Sequence, residues 1–108
     1  MPPEDETHYP SARVLYRPGL YEMRLETWSY GDSGNQVTFV HNNVFRWSPT
    51  TLRLMKADWA KWRPLYQDLL FVRAPRDDFK LARYLQSYFD FRFVDYDSGG
   101  YAVYVSTP

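Results

Sequence analysis

The stretch Tyr21–Trp28 alternates residue by residue: Tyr21, Met23, Leu25 and Thr27 share one side, and Glu22, Arg24, Glu26 and Trp28 the other. A period of two marks a half-buried strand, so the first set is expected to face a core. From Leu52 the period changes. Leu52, Met55, Trp59, Trp62, Tyr66 and Leu69 recur at spacings of 3, 4, 3, 4 and 3, which aligns them along one face of a helix packed on a sheet. Ser48-Pro49 supplies the helix start, with serine as N-cap and proline at the first helical position. Pro64 predicts a kink or break near Arg63, because proline lacks an N–H and clashes with the preceding turn.

Shorter patterns fill in the remainder. Arg13–Tyr16 reads as a short strand stopped by Pro18-Gly19, and Gly31–Asn35 as a turn. Gln36–His41 and Val44–Trp47 read as two strands about Asn42-Asn43, a pair that tolerates the positive φ of a tight hairpin. Leu69–Ala74 is a buried strand ending before Pro75. Asp77 or Asp78 caps a second helix running to about Ser87, with Ala82, Leu85 and Phe89 inward. Phe91–Tyr96 and Tyr101–Val105 close the chain as a hairpin around Asp97-Ser98-Gly99-Gly100. The expected class is α+β: a mainly antiparallel, twisted sheet of about six or seven strands with two principal helices. One strand–helix–strand crossover joins its halves, right-handed if its strands are parallel. Met1–Ser11, proline-bearing and acidic, is expected to be a disordered tail before a single domain over 12–108.

Composition narrows the function classes. A chain of 108 residues supports one core without a covalent staple, and the absence of cysteine fits a reducing compartment. Thirteen basic residues balance thirteen acidic ones, so neither a nucleic-acid binder's basic excess nor a DNA mimic's acidic excess is present. No apolar run approaches the roughly 20 residues of a membrane span, and the N-terminus is unlike a signal peptide. The expectation is a protein of the cytoplasm, with no membrane association.

Candidate chemistry is sparse. His8 and His41 have no partner at ligand spacing, and zinc sites need three or four converging ligands, so no metal is expected. Ser29, Ser33 and Ser98 belong to turns. Asp95 and Asp97 can share a face, but paired carboxylates need a pocket before they do acid–base work. Arg53, Lys56, Lys61 and Arg63 give the first helix a basic side, with Trp59 and Trp62 nearby. Such interleaving can track single-stranded nucleic acid, although the tryptophans keep the period of a core stripe. Aromatics make up 19% of the chain, more than a core of this size absorbs. Trp28 falls on the polar side of its strand, and Tyr16, Tyr30, Trp47, Tyr84 and Tyr88 are also in excess. With Arg24 and Arg46, the set Trp28, Tyr30, Trp47, Tyr84 and Tyr88 is the candidate protein interface, since aromatics and arginine are typical interface anchors.

The segment Leu69–Val105 resembles the C-terminal half of the GNAT acetyltransferase fold, in which a strand leads to a helix reading roughly Asn-x-x-Ala-x-x-Leu-Tyr-x-x-x-Gly-Phe and then to two strands. Ala82, Leu85 and Phe91 match. Phe79 stands at the Asn position, Gln86 at the Tyr position and Asp90 at the Gly position. The resemblance implies that the Tyr position carries the general acid, so Gln86 removes that donor. It also implies a glycine-bearing turn for the pyrophosphate of acetyl-CoA. The equivalent turn, Arg46-Trp47-Ser48-Pro49-Thr50-Thr51, has no glycine, and Pro49 deletes an amide.

Over Val44–Val105 the chain is also similar to small GNAT-shaped proteins of tailed bacteriophages, of the internal-virion or head-assembly type. That similarity implies a non-catalytic accessory protein, in the host cytoplasm or the virion, that binds another protein. It would serve as a virion component or assembly factor, or as an inhibitor of a host defence protein. No cofactor is expected. The alternatives are an acyl-CoA-dependent N-acetyltransferase with an atypical cofactor loop and a nucleic-acid-binding module using the basic helix.

Overall fold

A computed structural model provides the fold, and it describes residues 6–8, 11–30 and 34–108. The architecture is α+β, with one mostly antiparallel sheet and two helices. Strand β3 (Tyr21–Tyr30) pairs along its whole length with β4 (Asn35–Val44), from Tyr21 opposite Val44 to Tyr30 opposite Asn35. Two short strands share the other edge of β3. Strand β1 (Glu6–His8) lies against Trp28–Tyr30, and β2 (Ala12–Arg17) against Tyr21–Leu25. The expected N-terminal tail therefore contains a strand at Glu6–His8. Most of the rest of that tail, and part of the expected Gly31–Asn35 turn, lie outside the described residues.

Strand β4 feeds helix α1 (Pro49–Trp62), which returns the chain to β5 (Leu70–Ala74), parallel to β4. Helix α2 (Phe79–Tyr88) leads into the hairpin of β6 (Arg92–Tyr96) and β7 (Ala102–Ser106). Strand β7 inserts between β5 and β6, giving the order β3-β4-β5-β7-β6 across the sheet. The parallel strands share one registered pair, Phe39 opposite Phe71, whereas β3 with β4 and β5 with β7 form continuous ladders.

The alternation along β3 acts as expected. Tyr21, Met23 and Leu25 are buried beneath the helices, with Met55, Trp59, Leu70, Leu85, Phe89, Phe91 and Tyr104 completing the core. Trp59 is its centre: its ring stacks on Phe91 at 5.5 Å, meets Phe89 edge-on at 6.2 Å, and donates its indole N–H to the Phe89 carbonyl at 3.2 Å.

Three readings need correction. Asn42-Asn43 is not a hairpin turn, because β4 runs straight through it to Val44. The ten-residue β3 offers Met23 and Glu22 as partners for these asparagines, and Asn43 Nδ2 donates to Glu22 Oε1 at 3.0 Å, so ladder pairing overrides turn propensity. The helical stripe ends at Trp62. Pro64 converts the chain into a 3-10 turn over Arg63–Leu65, which leaves Tyr66 outside the helix, stacked on Trp62, and Leu69 exposed. Arg63 does not belong to a basic helix side, because it is buried.

Candidate functional site

Helices α1 and α2 follow parallel neighbours, so both start at the C-terminal ends of their strands and run side by side. The rim where those strands and helices meet carries Trp47, in the bend between β4 and α1. Phe45 and Arg46 donate their backbone N–H groups to the Leu20 carbonyl at 2.8 and 3.2 Å, which pins this bend to the turn before β3. Trp47 is left 65% exposed, with its ring 6.1 Å from that of Tyr84 on α2. Tyr88, one helical turn on, continues the series at 5.3 Å, and Lys56 of α1 places its ammonium 4.7 Å from the Tyr88 ring.

This aromatic rail borders an open trough of about 610 Å³ between the starts of the two helices, lined by Trp47, Pro49, Leu52, Lys80, Leu81 and Tyr84. Beneath Trp47 and Tyr84 lies a cavity of about 250 Å³ where β4 and β5 diverge beyond Phe39 and Phe71, walled by Val40, Leu52, Met55, Val72, Leu85 and Phe91. The lining is mainly apolar and aromatic, with His41, Asn42 and Arg73 also reaching the cavity and Asp78 and Lys80 the trough. Lys80 stands at the trough, Lys56 lies over Tyr88 beyond it, and Arg46, Arg53 and Arg83 lie one residue from lining or rail residues. None of these five joins an ion pair among the described residues. Asp78, the carboxylate at the trough, caps α2 by accepting the Leu81 N–H at 3.0 Å.

The start of α1 is closed by its own side chains. Ser48 Oγ accepts the Thr51 N–H at 3.0 Å and also hydrogen-bonds Thr51 Oγ1, and the Leu52 N–H goes to the Ser48 carbonyl at 3.1 Å. Pro49 has no N–H, so within the first three helical positions the amide of Thr50 remains. A helix start holds a phosphate through several convergent free amides; this one presents a capped turn beneath a tryptophan.

The sequence candidates divide between two surfaces. Trp47, Tyr84 and Tyr88 come together on the helix side, with Arg46 beside them. Trp28 and Arg24 lie on the opposite face of the sheet. There Arg24 Nε donates to Ser11 Oγ at 2.9 Å, and Trp28 Nε1 donates to Glu26 Oε1 at 2.8 Å. Trp28 borders a second cleft of about 650 Å³ with Glu26, His41, Arg73, Asp97 and Tyr101. It holds one ion pair, Arg73 with Asp97 at 2.7 Å, and places His41 Nε2 3.6 Å from Glu26 Oε1. Desolvation pushes the Asp97 carboxyl up, but the Tyr101 N–H, Arg73 and the Gly99 N–H together hold it below its usual range. Tyr30 ends β3, and its side chain lies outside the described residues. Sequence reasoning missed Lys80, although its i, i+4 spacing to Tyr84 was there to be read; Leu52 packs against the core as expected and, with Leu81, also walls the trough.

Among the described residues no cluster of histidine and carboxylates could hold a metal ion, and no helix is long and apolar enough to cross a membrane. No protein-family profile, no curated protein and no solved structure matches the chain.

Proposed function

We propose that the chain is a small GNAT-shaped accessory protein of phage type that works by binding another protein, as a virion component or assembly factor or as an inhibitor of host defence. The order β4–α1–β5–α2–β6–β7 supports the GNAT likeness, and so does one backbone detail. Asp90, at the position where the resemblance calls for glycine, has φ 57°, the left-handed conformation that glycine adopts most readily. Leu85 and Phe91, two of the matched positions, are buried. The phage setting rests on the resemblance of Val44–Val105.

One observation carries the binding reading. Trp47 is exposed at the mouth of an apolar cavity, in ring contact with Tyr84, where a folded monomer gains nothing from leaving it bare. Gln86 at the proton-donor position and the capped start of α1 count against acetyl transfer. The test is a pull-down from host or infected cells with wild type, Trp47→Ala and, as a variant of the opposite face, Trp28→Ala. Loss of the partner with Trp47→Ala and retention with Trp28→Ala is expected. Retention by both variants overturns the reading, and micromolar acetyl-CoA binding in calorimetry replaces it with the acyltransferase alternative.

A further inference from the structure

Resting on that reading, we infer that the cleft between α1 and α2 accepts an acidic, extended segment of the partner that anchors one bulky apolar side chain beneath Trp47 and Tyr84. Charge segregation supplies the first argument. The chain is neutral overall, with thirteen cations and thirteen carboxylates. Its ion pairs lie at β2 and α1, where Arg17 meets Asp58, and on the far face of the sheet, where Glu22 and Asp97 are engaged. Lys80 lines the trough together with Asp78, and the exposed Arg46, Arg53, Lys56 and Arg83 flank it; none of these five cations is in an ion pair among the described residues. An acidic partner supplies the missing countercharge, steers the encounter and is sensitive to salt.

The second argument is size and lining. The cavity of about 250 Å³ falls below the roughly 300–1,000 Å³ of pockets that enclose a whole small ligand. It suits one large side chain, entering beside the Trp47 and Tyr84 rings onto Leu52, Met55, Val72 and Leu85. The open trough that continues from it passes Lys80 at one end, while Lys56 over Tyr88 marks the other end of the rail. A strand-like peptide with carboxylates on both sides of one apolar residue meets both cations. The capped start of α1 leaves side chains, rather than backbone amides, to receive the negative charge, and carboxylates pair readily with arginine and lysine side chains.

The test is a selection from a random displayed-peptide library on the intact protein, followed by affinity measurements with the enriched peptides. Peptides carrying Asp or Glu around one Leu, Phe or Trp are expected. Their affinity should fall at least about tenfold with Trp47→Ala, and similarly with Lys80→Glu or at raised salt, whereas Trp47→Phe retains most of it. Enrichment without acidic bias, or acidic peptides indifferent to Lys80→Glu, overturns the inference while a Trp47-dependent partner in the pull-down leaves the binding reading standing. Displacement of the peptides by CoA or by oligo-dT overturns it in favour of a nucleotide or nucleic-acid ligand.

Discussion

Arg63 and Ser106 lock the break after α1 to the last strand: Arg63 Nε donates to Ser106 Oγ and Nη2 to the Ser106 carbonyl, each at 2.7 Å. The same guanidinium donates to the carbonyls of Tyr66 and Asp68, each at 2.8 Å. Burial lowers its pKa, and it remains a cation held by neutral acceptors rather than by a carboxylate. Arg63→Ala strands these acceptors and is expected to cost about 2–4 kcal/mol in urea unfolding. Arg63→Lys should recover little of it, because a single ammonium cannot span all of them. Wild-type stability in either variant would show that the clasp is idle.

Trp59→Ala should cost about 3–5 kcal/mol, since it empties the site between Phe89 and Phe91 and removes the indole bond to the Phe89 carbonyl. Trp47→Ala, by contrast, should stay within about 0.5 kcal/mol of wild type. Thermal unfolding of the two variants separates a core tryptophan from a surface one.

Acid and alkaline stability meet at Asp58. Arg17 donates to its oxygens at 2.7 and 2.8 Å and Tyr21 at 2.6 Å. The Arg17 hydrogen bond is the main influence holding the Asp58 carboxyl below its usual range, with burial opposing it. A depressed pKa gives stability that is complete above the unfolded value of about 3.9 and is lost as pH falls through the folded one. Tyr21 is shifted the other way, upward, first by burial and then by its bond to Asp58. Its contribution is complete below the unfolded tyrosine value of about 10 and declines as pH rises beyond it. Asp58→Asn should therefore flatten the acid limb of the stability profile, and Tyr21→Phe the alkaline limb. Unchanged limbs in urea titrations would refute this assignment.

Asp90 occupies the left-handed region at φ 57°. Asp90→Gly should stabilise by about 0.5 kcal/mol, the relief of strain outweighing the added freedom of the unfolded chain. Asp90→Val should destabilise, because a β-branched side chain tolerates this conformation poorly. Equal unfolding midpoints for the two variants would show that the backbone relaxes at this position.

What the sequence made legible was what depends on near neighbours. The two-residue rhythm of Tyr21–Leu25, the Ser48-Pro49 start, the break at Pro64 and the Asp78 cap each follow from chemistry a few residues wide. Asn42-Asn43 misled because its turn propensity competes with a partner strand whose length is not a local property. Arg63 misled because the acceptors that make its burial tolerable come partly from Ser106, at the far end of the chain. Trp47, Tyr84 and Tyr88 were visible as surplus aromatics, but their assembly depends on two helices lying side by side. Trp28, equal to Trp47 by composition, differs because strand parity sends it to the other face.

The single registered pair between β4 and β5 makes the sheet two plates rather than one. One plate is β3 with its edge strands and β4, the other β5, β7 and β6, and each closes its own backbone ladder. Phe39 and Phe71, with rings 6.3 Å apart, form the pivot between them. Backbone pairing between the plates is therefore confined to the stretch about Phe39 and Phe71, and beyond it the wedge is filled by side chains. A side chain seated in the wedge would rest on both plates at once, against Val40 of one and Val72 of the other.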